Sequence, residues 1–115
     1  MNGFWVKEGL REYVSNSYAT LLASHLGLYG AKSDDTYRYY KGVVYILNTF
    51  KDKYPFAYDL LLKQGNCTTL INKYAQNLNI SPFQARRAIY KQYQVLIKSL
   101  FKYEQRYFDK YILFD

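Results

Sequence analysis

The chain has 115 residues and a formal net charge of +7, enough for one modest core and too short for a second. Its single cysteine, Cys67, excludes an intrachain disulfide framework and any cysteine-based zinc site, which fits a reducing, cytoplasmic setting. The longest apolar run is too short to cross a bilayer and no secretory leader is visible, so no membrane partner is expected.

Helical periodicity recurs along the chain and strand alternation does not, so the expected fold class is all-α: five helices in a single domain spanning residues 1–115. The first helix is predicted from about Trp5 to Leu28, with Val6, Leu10, Tyr13, Val14, Leu21 and Leu22 on one buried stripe and Gly27 and Gly30 marking its end. Ser33 or Asp34 is the expected cap of a second helix that runs to about Lys53, with Tyr40, Val43, Val44, Leu47 and Phe50 on its apolar side. Tyr54-Pro55 breaks that pattern. A third helix from Pro55 to Gln64 is expected to stop at Gly65-Asn66. Thr68 or Thr69 would cap the fourth, and the fifth is predicted from Pro82 to roughly Lys110. Tyrosine is unusually common, at 15 residues, and its ring can cover a core while its hydroxyl reaches water.

Between the fourth and fifth helices the chain must stop, turn and restart within a few residues, in Leu70-Ile-Asn-Lys-Tyr-Ala-Gln-Asn-Leu-Asn-Ile-Ser-Pro-Phe-Gln-Ala-Arg-Arg-Ala-Ile. Ala75 is small where two helices would cross, and Asn79 tolerates a left-handed turn conformation. Ile80 would plug the turn, Ser81 is a good N-cap, and Pro82 suits the first helical position because its missing N–H would lack an intrahelical partner anyway. The spacing therefore predicts a helix-turn-helix over about residues 68–100. In such units the start of the second helix meets base edges in the major groove of DNA.

Charge follows the same division. No acidic residue lies between Asp59 and Glu104, whereas Lys63, Lys73, Arg86, Arg87, Lys91, Lys98 and Lys102 do. Up to Asn66 there are eight basic and six acidic residues, and beyond it eight and three, so the excess sits on the segment that would neutralise phosphates. The candidate DNA contacts are Gln84, Arg86 and Arg87 toward bases, with Thr69, Lys73 and Lys91 toward the backbone and Ser81 at the start of the same helix. An arginine can grip guanine O6 and N7, and a glutamine can pair with adenine N6 and N7. Since consecutive residues on a helix diverge by about a hundred degrees, one of the two arginines would read bases while the other holds a phosphate.

The fifth helix is longer than recognition requires. Ile89, Tyr93, Leu96, Leu100, Tyr103 and Tyr107 are spaced four, three, four, three and four, a continuous seam. That seam would either complete the monomer's core or pair two copies, and Tyr90, Ile97, Phe101 and Phe108 offer a neighbouring apolar face for the same purpose. A homodimer would match a palindromic site with half-sites about one helical turn apart.

Leu78-Asn79-Ile80-Ser81, followed by Ala85, Arg86 and Ala88-Ile89, resembles the helix-turn-helix of sigma-factor region 4, where Leu-Gly-Ile-Ser precedes the recognition helix. The layout from about Pro55 to Leu100 is also similar to small sigma-like transcriptional regulators of phages and mobile elements in Gram-positive bacteria. The resemblance implies DNA contacts from Gln84, Arg86, Arg87 and Lys91, and backbone contacts from the start of the fourth helix. Asn79 replaces the usual glycine, Ala85 a larger aliphatic residue, and residues 1–54 match no such pattern.

Enzymatic chemistry is not expected. His25 stands alone mid-helix, Ser33-Asp34-Asp35-Thr36 is explained as a helix start, and no phosphate loop, metal-ligand spacing or serine nucleophile motif is visible; no cofactor and no metal are expected. The rival expectation is a phage or mobile-element modulator that docks on RNA polymerase or another host protein, using aromatics of the long helix or the Tyr37-Arg38-Tyr39-Tyr40 patch. For that patch the plainer explanation is an amphipathic helix with tyrosines at its borders.

Overall fold

In the computed structural model the described residues are 3–25 and 33–111, with side chains described over 7–23 and 37–107. They form five helices and no strand, the expected all-α fold: α1 (Gly3–His25), α2 (Ser33–Lys53), α3 (Pro55–Leu61), α4 (Thr68–Leu78) and α5 (Pro82–Tyr111). Among the described residues no helix is long and apolar enough to cross a membrane. The proposed stop at Gly27 and Gly30, and the side chains of Val6, His25, Ser33, Asp34 and Phe108, lie outside the described residues.

The core is the meeting place of one stripe from each helix: Leu10 and Val14 from α1, Val43, Leu47 and Phe50 from α2, Ala57, Leu60 and Leu61 from α3, Ile71 and Ala75 from α4, and Ala85, Ile89, Tyr93 and Leu96 from α5. α1 and α2 pack on each other, while α5 touches all four other helices. The buried line of α1 runs Lys7, Leu10, Val14, Ser17, with intervals of three, four and three. Two of its members are polar, and both are satisfied. Ser17 donates to the Tyr13 carbonyl four residues back (2.7 Å), and the Lys7 ammonium donates to the Lys63 carbonyl. Leu22, expected on the same stripe, is instead 60% exposed, because the line through Leu10, Val14 and Ser17 continues at the half-buried Leu21.

α3 is shorter than its apolar pattern. It ends at Leu61 rather than Gln64, and the segment beyond it is held by α1: Lys7 binds the Lys63 carbonyl and the Glu8 carboxylate accepts the Gly65 N–H at 3.2 Å. Carbonyl and amide groups that would have extended the helix are drawn to charged side chains, which form stronger hydrogen bonds than neutral partners do. Gly65, at φ 85°, then makes a reversal that a side chain would strain.

Half of α5 belongs to the core. Ile89, Tyr93 and Leu96 are buried, Leu100 and Tyr103 pack against them, and Tyr107 closes the far end against Tyr39 with ring centroids 5.0 Å apart. The Tyr93 hydroxyl donates to the Ala57 carbonyl at 2.9 Å, and Tyr103 donates to the Tyr39 carbonyl at 2.8 Å. The seam is therefore internal. Tyr93, Leu96 and Tyr107, offered by their spacing as dimer contacts, are covered by α2 and α3 of their own chain, so they are not a surface for a second copy. Of the Tyr37-Arg38-Tyr39-Tyr40 patch, Tyr39 and Tyr40 likewise pack on the core, as an amphipathic helix border requires.

Candidate nucleic-acid interface

The turn between α4 and α5 follows from its residues. Asn79 takes the left-handed conformation (φ 57°, ψ 43°), and the N–H groups of Asn79 and Ile80 donate back to the carbonyls of Gln76 (3.1 Å) and Ala75 (3.0 Å). This is the Schellman closure, which satisfies two carbonyls the helix end would otherwise leave open. Ala75 and Ala85 are both buried, as two backbones crossing closely demand, and Ile80 packs on the core beside them. Ser81 and Gln84 then close a capping box: the Gln84 N–H donates to Ser81 Oγ at 3.1 Å and the Ser81 N–H donates to Gln84 Oε1 at 2.9 Å.

That box joins two of the candidate DNA contacts to each other. Gln84, a candidate adenine reader, and Ser81, a candidate DNA contact and the expected N-cap, are engaged with each other. Bidentate pairing with adenine would use the same amide oxygen that accepts the Ser81 N–H.

The expected cap of α4 is also corrected. The residue before the helix is Cys67, itself left-handed (φ 54°, ψ 38°) and making no side-chain cap bond, while Thr68 is already helical. The Thr68 hydroxyl faces the next helix instead, where Arg86 Nη2 approaches its Oγ1 at 3.5 Å. The two arginines, both exposed, differ in surroundings: Arg86 leans toward the start of α4, and Arg87, one residue on, points about a hundred degrees away around the helix.

Thr69, Lys73, Ser81, Gln84, Arg86, Arg87 and Lys91 are all exposed. Neither α4 nor α5 has an acidic residue in its first turn, so the positive end of each helix dipole faces no carboxylate of its own. Beyond Arg87 and Lys91, Lys98 and Lys102 are exposed on the same line of α5, at intervals of four, seven and four, about 22 Å in all. Their helical spacing was the signal that could have added them to the candidate list. Phe83 was missed as well, and it is 71% exposed at the second position of α5.

α4 is fixed from both sides. α5 crosses it, and the Tyr74 ring stacks on Phe56 of α3 with centroids 4.1 Å apart and planes 8° from parallel. The loop before it is anchored by Glu8, whose carboxyl is held below its ordinary value of 4.5 by the Arg11 guanidinium first, against a burial effect of opposite sign, and by the Gly65 N–H and Lys7 after it. Among the described residues no group of three or more His, Cys, Asp or Glu side chains could hold a metal ion.

No family model, curated protein or solved structure matches the chain.

The remaining apolar face of α5 is uneven. Tyr90 and Ile97 are half-buried, and Ile97 packs partly on the core, while Phe101 is 66% exposed.

Proposed function

We propose that the chain is a DNA-binding protein, a transcriptional regulator that inserts the start of α5 into the major groove. The observation that carries this reading is the outward line Arg87, Lys91, Lys98, Lys102, acid-free and exposed, which begins at a tip made rigid by the Asn79 turn and the Ser81–Gln84 box. A groove-reading helix needs an entry end that does not fray and a flank that offers cations to phosphates. Arg87 is the base reader, suited to guanine, and Arg86 with Thr68 and the first turn of α4 receives a phosphate. Thr69, Lys73 and Lys91 add backbone contacts. The likeness of the turn to sigma-factor region 4 points the same way, toward a regulator acting on double-stranded DNA in the cytoplasm.

A second copy would pair through Tyr90, Ile97 and Phe101, the part of the proposed dimer surface that the monomer's core leaves open. The rival, a modulator docking on a host protein, has one observation in its favour: Tyr45 of α2, a large aromatic, is 73% exposed.

Selection of bound fragments from a random duplex pool tests the reading, followed by mobility shift at increasing salt. A defined sequence should be enriched, its affinity should fall with salt as counterions are released, and Arg86→Ala with Arg87→Ala should abolish the shift. Unchanged affinity in that double variant, or a flat salt dependence, refutes it.

A further inference from the structure

Phe83 is unexplained by the fold. It is the second residue of α5, 71% exposed, and does not belong to the core or to the side chains packed on it. Pro82 before it already starts the helix, and the capping box closes the turn without it. A phenyl ring so placed gains nothing in the isolated chain.

Its neighbours limit what it can meet. Arg86 and Arg87 follow at three and four residues, so they share its side of the helix. No carboxylate lies within the interval between Asp59 and Glu104, so the ring is framed by cations that call for an anionic partner. In a DNA major groove the first turn of the reading helix goes among base edges, where the one apolar group on offer is the 5-methyl of thymine. Polar reading of an A·T pair from this turn is hindered, because the Gln84 oxygen is held by the Ser81 N–H.

We propose that Phe83 is a specificity-determining residue whose ring packs on a thymine 5-methyl group, beside a guanine read by Arg87. This rests on the DNA-binding reading above and adds to it the kind of base pair selected at the helix tip. Arginine selects G·C, the phenyl ring selects A·T, and the two lie one helical turn apart on the same side of α5.

The test uses a duplex enriched from the random pool by the whole protein, and the same duplex with deoxyuridine replacing thymidine at one position at a time. The exchange removes one methyl group and leaves pairing intact. At one or two positions the wild-type protein should bind the uracil duplex about fourfold more weakly, the size expected for burying one methyl group. Phe83→Ala, which disturbs no packed neighbour, should bind more weakly and bind thymine and uracil duplexes equally, and Phe83→Leu should keep part of the preference. If the wild-type protein enriches a sequence and loses it on Arg86→Ala with Arg87→Ala, yet thymine and uracil bind alike at every position, the thymine contact is wrong and DNA binding stands. Retention of the preference in Phe83→Ala overturns it in the same way. If no duplex is enriched, both readings fall, and the exposed ring belongs to a protein interface.

Discussion

Gly42 sits in the interior of α2, where helix propensity alone favours alanine by about 1 kcal/mol. The structure predicts the opposite sign. A Cβ at position 42 would run into the Tyr103 ring, within 2.6 Å of Cε2 and closer still to Cζ and Oη. The ring cannot simply turn aside. Its hydroxyl is bonded to the Tyr39 carbonyl at 2.8 Å, and its face lies against Tyr39 and Tyr107 at centroid distances of 5.5 and 6.2 Å. Overpacking of this kind costs about 1–3 kcal/mol, and displacing the hydroxyl loses about 1 kcal/mol more. Set against the propensity gain, Gly42→Ala should destabilise the chain by roughly 2 kcal/mol, a fall in thermal midpoint on the order of 8 °C for a domain of this size. The decisive measurement is a double-mutant cycle by chemical denaturation with Tyr103→Ala. In that background the obstacle is gone, and Gly42→Ala should stabilise by about 0.5–1 kcal/mol. A wild-type chain stabilised by Gly42→Ala would refute the packing of α5 against α2, and with it the assignment of Tyr103 to the interior.

Tyr93→Phe removes the buried hydroxyl that donates to the Ala57 carbonyl, and urea titration should show a loss of about 1 kcal/mol with an unchanged slope. Burial raises the Tyr93 phenol above its ordinary value of 10.0, so its stabilising effect is complete below that pH and lost as pH rises above it; the alkaline unfolding limb should become shallower in Tyr93→Phe, and an identical limb would contradict the burial. Ser81→Ala opens one half of the capping box and should cost about 1 kcal/mol by thermal unfolding, and this loss should shrink in a Gln84→Ala background because the two side chains act as one unit.

Whatever depends on a few neighbouring residues was legible before any tertiary information. Asn79, Ser81 and Pro82 specify a stop, a reversal and a restart through torsional preference and local hydrogen bonds, and the structure places the left-handed residue, the cap and the helix start at those positions. The capping box was equally local, carried by Ser81 and Gln84 three apart, but reading Gln84 as a base contact concealed it. Ala75 and Ala85 were small for the same reason that they are buried, the closeness of α4 to α5.

The faces were another matter. Periodicity shows that α5 has an apolar seam and a second apolar face beside it, but both satisfy the same helical repeat, and only the position of α2 and α3 turns Tyr93, Leu96 and Tyr107 inward and leaves Phe101 in water. A hydropathy stripe could not anticipate that Lys7 and Ser17 would occupy the buried line of α1, since their burial depends on a carbonyl fifty-six residues away and on the helix's own backbone. The same distance effect shortened α3. Turns are decided within about four residues, so the sequence by itself determined the stop, reversal and restart between α4 and α5 and the acid-free interval from Leu60 to Tyr103; which faces are covered is decided by partners far along the chain, so only the tertiary structure set Arg86 toward Thr68 and left Phe83 in water.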